Sequence, residues 1–228
     1  MKMYGATDIG LVRATNQDNY YIDKSAKWAV VADGMGGHNG GETASSVTVE
    51  EIKKSMLQGV GLKESIINDN AMVYKMAVET PGLSGMGTTV VLCEILGSTA
   101  NIAYVGDSRA YLYSGGILKQ ITKDHSIVQQ LIDSGTITEE QAKYHPQRNL
   151  ITRAVGTEKN ILVDCVTHEL MENDYILICS DGLSSYVEEN EIADILANTK
   201  VSEIVEKLID AANQCGGKDN ITAVIIKA

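Results

Sequence analysis

The chain has 228 residues, 44% of them hydrophobic and 21% charged, which is ordinary for one compact globular domain. Its net charge of −11 disfavours binding to the polyanionic backbone of DNA or RNA. No stretch approaches the ~20 apolar residues that cross a bilayer, and the first residues lack the apolar core of a signal peptide. We therefore expect a soluble, cytoplasmic, monomeric protein, one domain over residues 1–228, with no nucleic acid or membrane partner.

Apolar segments rich in β-branched or aromatic residues predict strands, and most are too apolar for a sheet with one face in water. They lie at residues 27–32, 88–95, 101–105, 110–114, 175–179 and 221–226. Ser114, Gly115 and Gly116 predict a tight turn between two strand-like runs, which favours antiparallel pairing.

Helical spacing of apolar residues marks two segments between the strands. One face consists of Ile67, Ala71, Tyr74 and Val78. The other consists of Val201, Ile204, Val205, Leu208, Ile209 and Ala212. Thr138 with Gln141 is typical of a capping box that opens a short helix before Pro146. We expect the helices to cover sheets, which predicts an α+β fold with αββα layers: a β-sandwich of two antiparallel sheets flanked by helices.

Four aspartates follow or precede predicted strands: Asp33, Asp107, Asp181 and Asp219. An Asp-Gly pair after a strand is, on its own, more often a simple turn. If the strand ends meet at one rim, however, the like charges would repel strongly unless cations hold them together. Oxygen donors without nearby Cys or His favour Mg²⁺ or Mn²⁺ over zinc, and two such ions can activate water toward a phosphorus atom.

Arg13, in the segment RATNQD, is a candidate anchor for a phosphate dianion because its planar guanidinium matches two phosphate oxygens. A surface arginine paired with a neighbouring carboxylate is the commoner explanation, and both stay open at this point. Phosphoryl transfer from ATP is set aside because the sequence has neither a G-x-x-x-x-G-K-[ST] loop nor a kinase lysine signature.

Eight short motifs occur in order from Arg13 to Thr222: RATNQD, VVADGMGGH, MGTTVV, VGDSRAY, TKDHS, HPQRNLITRAVG, CSDGL and KDNIT. Each motif alone is weak, but eight in one order are specific. Together they resemble the metal-dependent protein phosphatases of type 2C, the PPM family, in its compact bacterial form. The resemblance covers nearly the whole chain and implies the helix-flanked β-sandwich and the hydrolysis of phosphoserine and phosphothreonine in proteins.

The resemblance also implies a metal centre with two Mn²⁺ or Mg²⁺ ions. Asp33 would bridge both ions, and the carbonyl oxygen of Gly34 would complete the shell of one of them. Asp181 and Asp219 would bind the other ion. Asp107 would hold a third, weaker ion together with Asp181.

Further roles follow from the same resemblance. Asp18 would act on the ions through water, Asn220 would orient that arrangement, and Arg13 becomes the phosphate anchor. Arg109 is expected to be structural. The segment 124–156 corresponds to the family's mobile flap beside the cleft, where substrate selection is expected.

One position departs from the family pattern. Eukaryotic relatives carry a histidine directly after the metal-binding glycine, where it is thought to protonate the leaving oxygen, and here that residue is Met35. A thioether has no proton to donate, so the acid is a metal-bound water, a different group, or absent. His38 is a candidate, weighed against the commoner structural role of a loop histidine.

The partners implied by the resemblance are phosphorylated proteins and an opposing bacterial serine/threonine kinase. The alternative function is a catalytically weak regulatory module that binds phosphoproteins. A degenerate relative of that kind would be expected to have lost at least one of Asp33, Asp181 and Asp219, and none is missing.

Overall fold

The computed structural model describes residues 1–25, 27–37 and 40–228. The strands are β1 (Lys2–Asp8), β2 (Asp18–Ile22), β3 (Trp28–Met35), β4 (Gly87–Thr88), β5 (Val90–Leu96), β6 (Thr99–Val105), β7 (Arg109–Ser114), β8 (Ile117–Gln120), β9 (Asp164–Glu169), β10 (Tyr175–Cys179) and β11 (Ile221–Lys227). The helices are α1 (Gly40–Leu57), α2 (Leu62–Glu79), α3 (Ile127–Asp133), α4 (Glu139–Ala142), α5 (Asp181–Ser184), α6 (Glu189–Asn198) and α7 (Ile204–Gln214). No helix in the described ranges is both long and apolar enough to cross a membrane.

The strands form two antiparallel sheets that pack face to face. One sheet has the order β1-β11-β10-β7-β8, and the other has the order β2-β3-β5-β6-β9, with β4 paired to the end of β3. Buried residues of both sheets, such as Val91 and Val224, fill the space between them. Helices α1 and α2 pack on the outer face of one sheet, and α6 and α7 pack on the other. This confirms the predicted α+β fold with αββα layers.

All six predicted strand segments are strands, whereas β1, β2 and β9 were missed. The missed strands lie at sheet edges. An edge strand is paired on one side only and is less completely buried, so it does not need the apolar run by which a central strand is recognised. Strand β9 shows this, because its residues alternate between half-buried and exposed.

Helix α7 buries the face that its periodicity predicts, including Ile204, Leu208 and Ile209. Helix α2 does not, and the expectation for its apolar face was wrong. The residues of α2 that are buried against the rest of the protein are Ser65, Ile66, Asp69, Asn70, Val73 and Ala77. The predicted face of Ile67, Ala71, Tyr74 and Val78 instead lines an open groove of about 530 Å³, and of these four residues only Ile67 also packs against the core.

The polar residues on the buried face of α2 explain this error. Asn70 is buried because its side chain donates to the carbonyl oxygens of Glu158 and Lys159 and accepts from Gly156 N at 2.8 Å. Asp69 is buried beside it. A face that binds a loop through hydrogen bonds looks polar in the sequence, so periodicity favours the wrong side of the helix.

Candidate active site

Five aspartates lie together at one rim of the sandwich, around Asp33. Burial raises the pKa of Asp33 well above its usual range, and the charges of Asp18, Asp181, Asp107 and Asp219 raise it further. Charges affect one another in this way only at short range, so the four aspartates are neighbours of Asp33. We call these five residues the aspartate cluster.

The register of the β2–β3 pair places Asp18 directly opposite Asp33. Two consecutive threonines, Thr88 at the end of β4 and Thr89 after it, fix the backbone of Asp33. Its N–H donates to Thr89 Oγ1 at 3.1 Å, and its carbonyl oxygen accepts from Thr88 Oγ1 at 2.8 Å. Thr89 Oγ1 also bonds Ser108 Oγ at 2.7 Å, so one hydroxyl links β3 to the turn that carries Asp107.

Ser180 joins the two sheets at the cluster. Its hydroxyl donates to Asp18 Oδ2 at 2.7 Å and accepts from the backbone N–H of Thr222 at 2.9 Å. Asp18 is only 8% exposed, and within the described residues its other oxygen, Oδ1, has no hydrogen-bond partner. Burial raises the pKa of Asp18 to about 7, although the bonds from Ser180 and Thr222 act against that shift.

Two further members of the cluster have raised pKa values. The pKa of Asp107 rises to about 8 through burial first and then through the charge of Asp181. The pKa of Asp181 rises to about 6 through burial and the charge of Asp219, while a hydrogen bond with Asp33 lowers it. Because two carboxyls bond only when they share a proton, the cluster must hold protons or cations near neutral pH.

Arg13 lies at the mouth of the cluster, and its Nη2 is 2.7 Å from Asp219 Oδ2. The arginine side chain is 53% exposed. The carboxylate raises the pKa of the guanidinium through their hydrogen bond, and the charges of Asp181 and Asp33 add to this effect. Arg13 is thus paired with a carboxylate, and that carboxylate belongs to the aspartate cluster.

Asn220 fastens the loop that carries Arg13. Its side-chain amide donates to the carbonyl oxygens of Ile9 and Thr15, both at 3.0 Å, and its carbonyl oxygen accepts from Gln17 N at 2.8 Å. Asn220 directly follows Asp219, so the loop 9–17 is held against the aspartate that Arg13 contacts.

The oxygen atoms of the aspartate cluster are donors that suit hard divalent cations. Within the described ranges, however, no group of three His, Cys, Asp or Glu side chains is already arranged to hold one metal ion. Asp33 forms a hydrogen bond with Asp181, and Asp219 accepts one from Arg13. The carboxylate oxygens are therefore directed at these partners and not at one common point. All the donors are oxygens, they repel one another, and Asp18 Oδ1 is buried without a partner. Mg²⁺ and Mn²⁺ prefer such donors and would relieve the repulsion.

A family model described as Protein phosphatase 2C matches residues 12–225. The chain belongs to the protein phosphatase 2C family. It is 36% identical to the serine/threonine phosphatase stp of Listeria welshimeri, over 97% of this chain and 93% of that relative. It is 38% identical to the serine/threonine protein phosphatase PstP of Mycobacterium tuberculosis, over 96% of this chain and 43% of that longer relative.

Solved structures of 2C-family phosphatases share the fold. The Mycobacterium tuberculosis phosphatase PstP/Ppp superposes with a TM-score of 0.91 at 37% identity, and the match covers 98% of this chain and 97% of that one. The catalytic domain of PstP in complex with two manganese ions gives a TM-score of 0.89 at 35% identity, covering 98% and 96%. The family and fold that the sequence motifs predict are confirmed.

The glycine and the methionine after Asp33 are tightly packed in this 2C-family chain. A Cβ at Gly34 would collide with the backbone oxygens of Gly41 and Gln17, so only glycine fits. The Met35 methyl group lies against Gly87. His38 lies outside the described residues, so its candidacy stays a prediction.

The segment 124–156 is anchored at both ends near the cluster of this 2C-family protein. At its start, Arg109 Nη2 is 2.8 Å from Asp124 Oδ2, and Arg109 Nη1 donates to Tyr111 Oη at 3.0 Å. At its end, Val155 exchanges two backbone hydrogen bonds with Thr88, the residue that bonds Asp33. Arg109 therefore has structural contacts, as expected.

Sequence reasoning missed the hydroxyl residues that position the aspartates: Ser180, Thr89 and Ser108. All three lie within motifs that were recognised, in CSDGL, MGTTVV and VGDSRAY. The signal was a hydroxyl residue next to an aspartate or glycine at a strand end. Such residues are also the default in turns, so their role was not separable from the sequence.

Proposed function

We propose that this 2C-family protein hydrolyses phosphoserine and phosphothreonine in proteins with the help of Mn²⁺ or Mg²⁺. The observation that carries the proposal is the aspartate cluster, whose mutual repulsion and burial hold the pKa of Asp33 far above its usual range. Burying like charges is unfavourable unless cations neutralise them. When bound, the ions would supply charge to polarise the phosphate and to acidify a nearby water.

Particular side chains would hold those ions. Asp33 would bridge the two main ions, Asp181 and Asp219 would bind one of them, and the carbonyl oxygen of Gly34 would bind the other. Asp107 with Asp181 would hold a third. The hydrogen bond between Asp33 and Asp181 and the mutual electrostatic effects of these aspartates support this assignment.

The other cluster contacts support the remaining roles. Asp18, fixed by Ser180, would act on the ions through water. Arg13 would exchange its contact with Asp219 for two oxygens of the substrate phosphate, for which a half-exposed guanidinium is suited. Asn220 would keep Arg13 in place by holding its loop.

Protonation of the leaving oxygen needs a proton donor, and the Met35 thioether cannot be that donor. We keep His38 as the histidine candidate for this step.

The proposed substrates are phosphorylated proteins, and the proposed partner is a serine/threonine kinase whose products the enzyme hydrolyses. We also propose that the protein acts as a monomer in the cytoplasm. Its four cysteines, Cys93, Cys165, Cys179 and Cys215, are free thiols, which suits a reducing compartment.

The test is phosphate release from a phosphothreonine peptide and from p-nitrophenyl phosphate, with Mn²⁺, with Mg²⁺ and with a chelator. We expect release that requires the metal. Absence of release with both ions would reject catalysis. If the protein then still bound the phosphopeptide, the alternative of a phosphoprotein-binding module would replace the proposal.

A further inference from the structure

Tyr186 and Lys218 form an aromatic and cationic pair at the edge of the aspartate cluster. Lys218 Nζ lies 5.5 Å from the centroid of the Tyr186 ring, which is a cation–π distance. Lys218 directly precedes Asp219, and Tyr186 follows α5, which begins with Asp181. The pair therefore lies beside the two aspartates that come from the β10–β11 side of the rim.

Arg148, from the 124–156 segment, acts electrostatically on Tyr186. Burial raises the pKa of the Tyr186 phenol, and the charges of Asp181 and Asp219 raise it further, whereas Arg148 and Arg13 act in the opposite direction. Arg148 is thus an exposed cation whose charge acts on the Tyr186 phenol in the same direction as that of Arg13.

Arg148, Lys218 and the Tyr186 hydroxyl are available to a ligand. Arg148 and Lys218 are exposed, and neither forms an ion pair within the described part of the chain. The Tyr186 hydroxyl likewise has no hydrogen-bond partner there. Two other arginines differ. Arg109, in β7, pairs with Asp124 at the start of the segment, and Arg153, near the end of the segment, pairs with Asp164.

We propose that Tyr186, Lys218 and Arg148 form an anion subsite beside the aspartate cluster, which selects phosphorylated segments that carry a second negative group within two residues of the phosphorylated residue. The proposal rests on the function proposed above. Unpaired cations next to the acidic centre of a chain with net charge −11 oppose the overall charge of the protein and attract anionic side chains. The second group is a carboxylate or a second phosphate, and both share the chemistry that guanidinium, ammonium and phenol donors recognise.

The experiment compares kcat/KM of the Mn²⁺-loaded enzyme for three phosphothreonine peptides. Within two residues of the phosphothreonine they carry alanines, glutamates, or a second phosphothreonine. We expect the glutamate peptide to exceed the alanine peptide by about five- to ten-fold, since each exposed ion pair contributes roughly a two- to five-fold factor. We expect kcat/KM for the doubly phosphorylated peptide to be higher still than for the glutamate peptide, because a phosphate carries about two charges at neutral pH. A preference for the doubly phosphorylated peptide alone would identify phosphate as the ligand.

Variants test the named residues. The double variant Arg148→Gln/Lys218→Gln is expected to bring the ratio between acidic and neutral peptides to within about two-fold of one. Tyr186→Phe keeps the ring but loses the donor, and we expect about a two-fold smaller ratio. Lys207→Gln, at an exposed lysine on α7, is the matched control and keeps the wild-type ratio. A ratio on one enzyme is insensitive to a general loss of activity.

The subsite is rejected if the wild-type ratio is near one, or if the double variant keeps the wild-type ratio. If the wild type hydrolyses no peptide at all, the proposed function fails, and the subsite is then judged by Kd. Fluorescence polarisation of the same labelled peptides measures this. Equal affinities would reject the subsite, and an acidic preference that the double variant loses would support it.

Discussion

The rim that carries the aspartate cluster and the core beneath α7 are held together in opposite ways. In the core, apolar side chains such as Leu177, Leu208 and Ile225 are fully buried against one another, so their removal from water stabilises the fold. At the rim, burial raises the pKa values of Asp18 and Asp33, and the charges of neighbouring aspartates raise both further, so ionisation of these carboxyls destabilises the fold. The chemically active groups of this protein thus lie where the burial of charge destabilises the fold, and the apolar core provides the compensating stability.

The largest expected effect comes from removing the central charge of the rim. We expect Asp33→Asn to lower kcat/KM for a phosphothreonine peptide by at least about 10³-fold, because the residue would no longer bridge two ions. In a chelator at pH 8, the same variant should unfold at a higher temperature than the wild type, because a buried asparagine is neutral without a bound proton or cation. Phosphate release and thermal unfolding measure the two effects.

Asp210→Asn, at an exposed aspartate on α7, is the matched control and should change neither quantity. An Asp33→Asn enzyme with more than a tenth of the wild-type activity would contradict the assignment. A lower unfolding temperature in chelator would contradict the contrast between rim and core.

The core counterpart is Leu208→Ala. Leu208 is fully buried, so its truncation should reduce the free energy of unfolding by about 2–5 kcal/mol. Leu208 belongs to the apolar core cluster and not to the aspartate cluster, so kcat/KM of the folded enzyme should stay within about two-fold of wild type at low temperature. Urea unfolding and peptide hydrolysis separate the two quantities. A large loss of activity without a loss of stability would remove the distinction between the regions.

A change of pH should reveal the strain at the rim without any mutation. The pKa values of Asp181, Asp18 and Asp107 in the folded chain are about 6, 7 and 8, above the 3.8 of an ordinary aspartate. Between pH 4 and pH 8 the folded chain therefore holds more protons than the unfolded chain, and stability falls as pH rises through this window. With a chelator present, we expect a loss of about 2 kcal/mol or more, about 4 °C or more in Tm.

Thermal unfolding at pH 5.5 and pH 8 checks this expectation. Mn²⁺ should remove most of the loss at pH 8, since a bound cation compensates the charges that protons no longer neutralise. A metal-free protein whose Tm is constant or increases over this range would show that the cluster is not strained.

The smallest expected effect compares the two faces of α2. Val78 is 67% exposed on the open groove, so Val78→Ala should change the free energy of unfolding by less than about 0.5 kcal/mol. Ile66, which is fully buried on the other face, should lose about 2–5 kcal/mol when changed to alanine. Equal losses for both variants would mean that the groove is covered in solution.

Much of the fold and the site could be predicted because the central strands are apolar throughout. The ends of these strands could be recognised in the sequence, and so could the aspartates next to the strand ends, such as Asp33 and Asp181. Edge strands β1, β2 and β9 were not recognisable, since most of their residues are only partly buried or exposed and such strands need no continuous apolar run. Asp18, at the start of edge strand β2, was placed near the metal site by resemblance alone.

The sequence by itself determined the family, the layered fold, the buried face of α7 and the set of aspartates at strand ends. Each of these depends on residues close in the chain, or on short motifs in a specific order. Only the tertiary structure decided that α2 turns its more polar face inward, that Ser180 bonds Asp18 across 162 residues, and that Lys218 lies over Tyr186. Such contacts depend on how distant segments pack, and neither periodicity nor residue type records which partner a polar side chain meets.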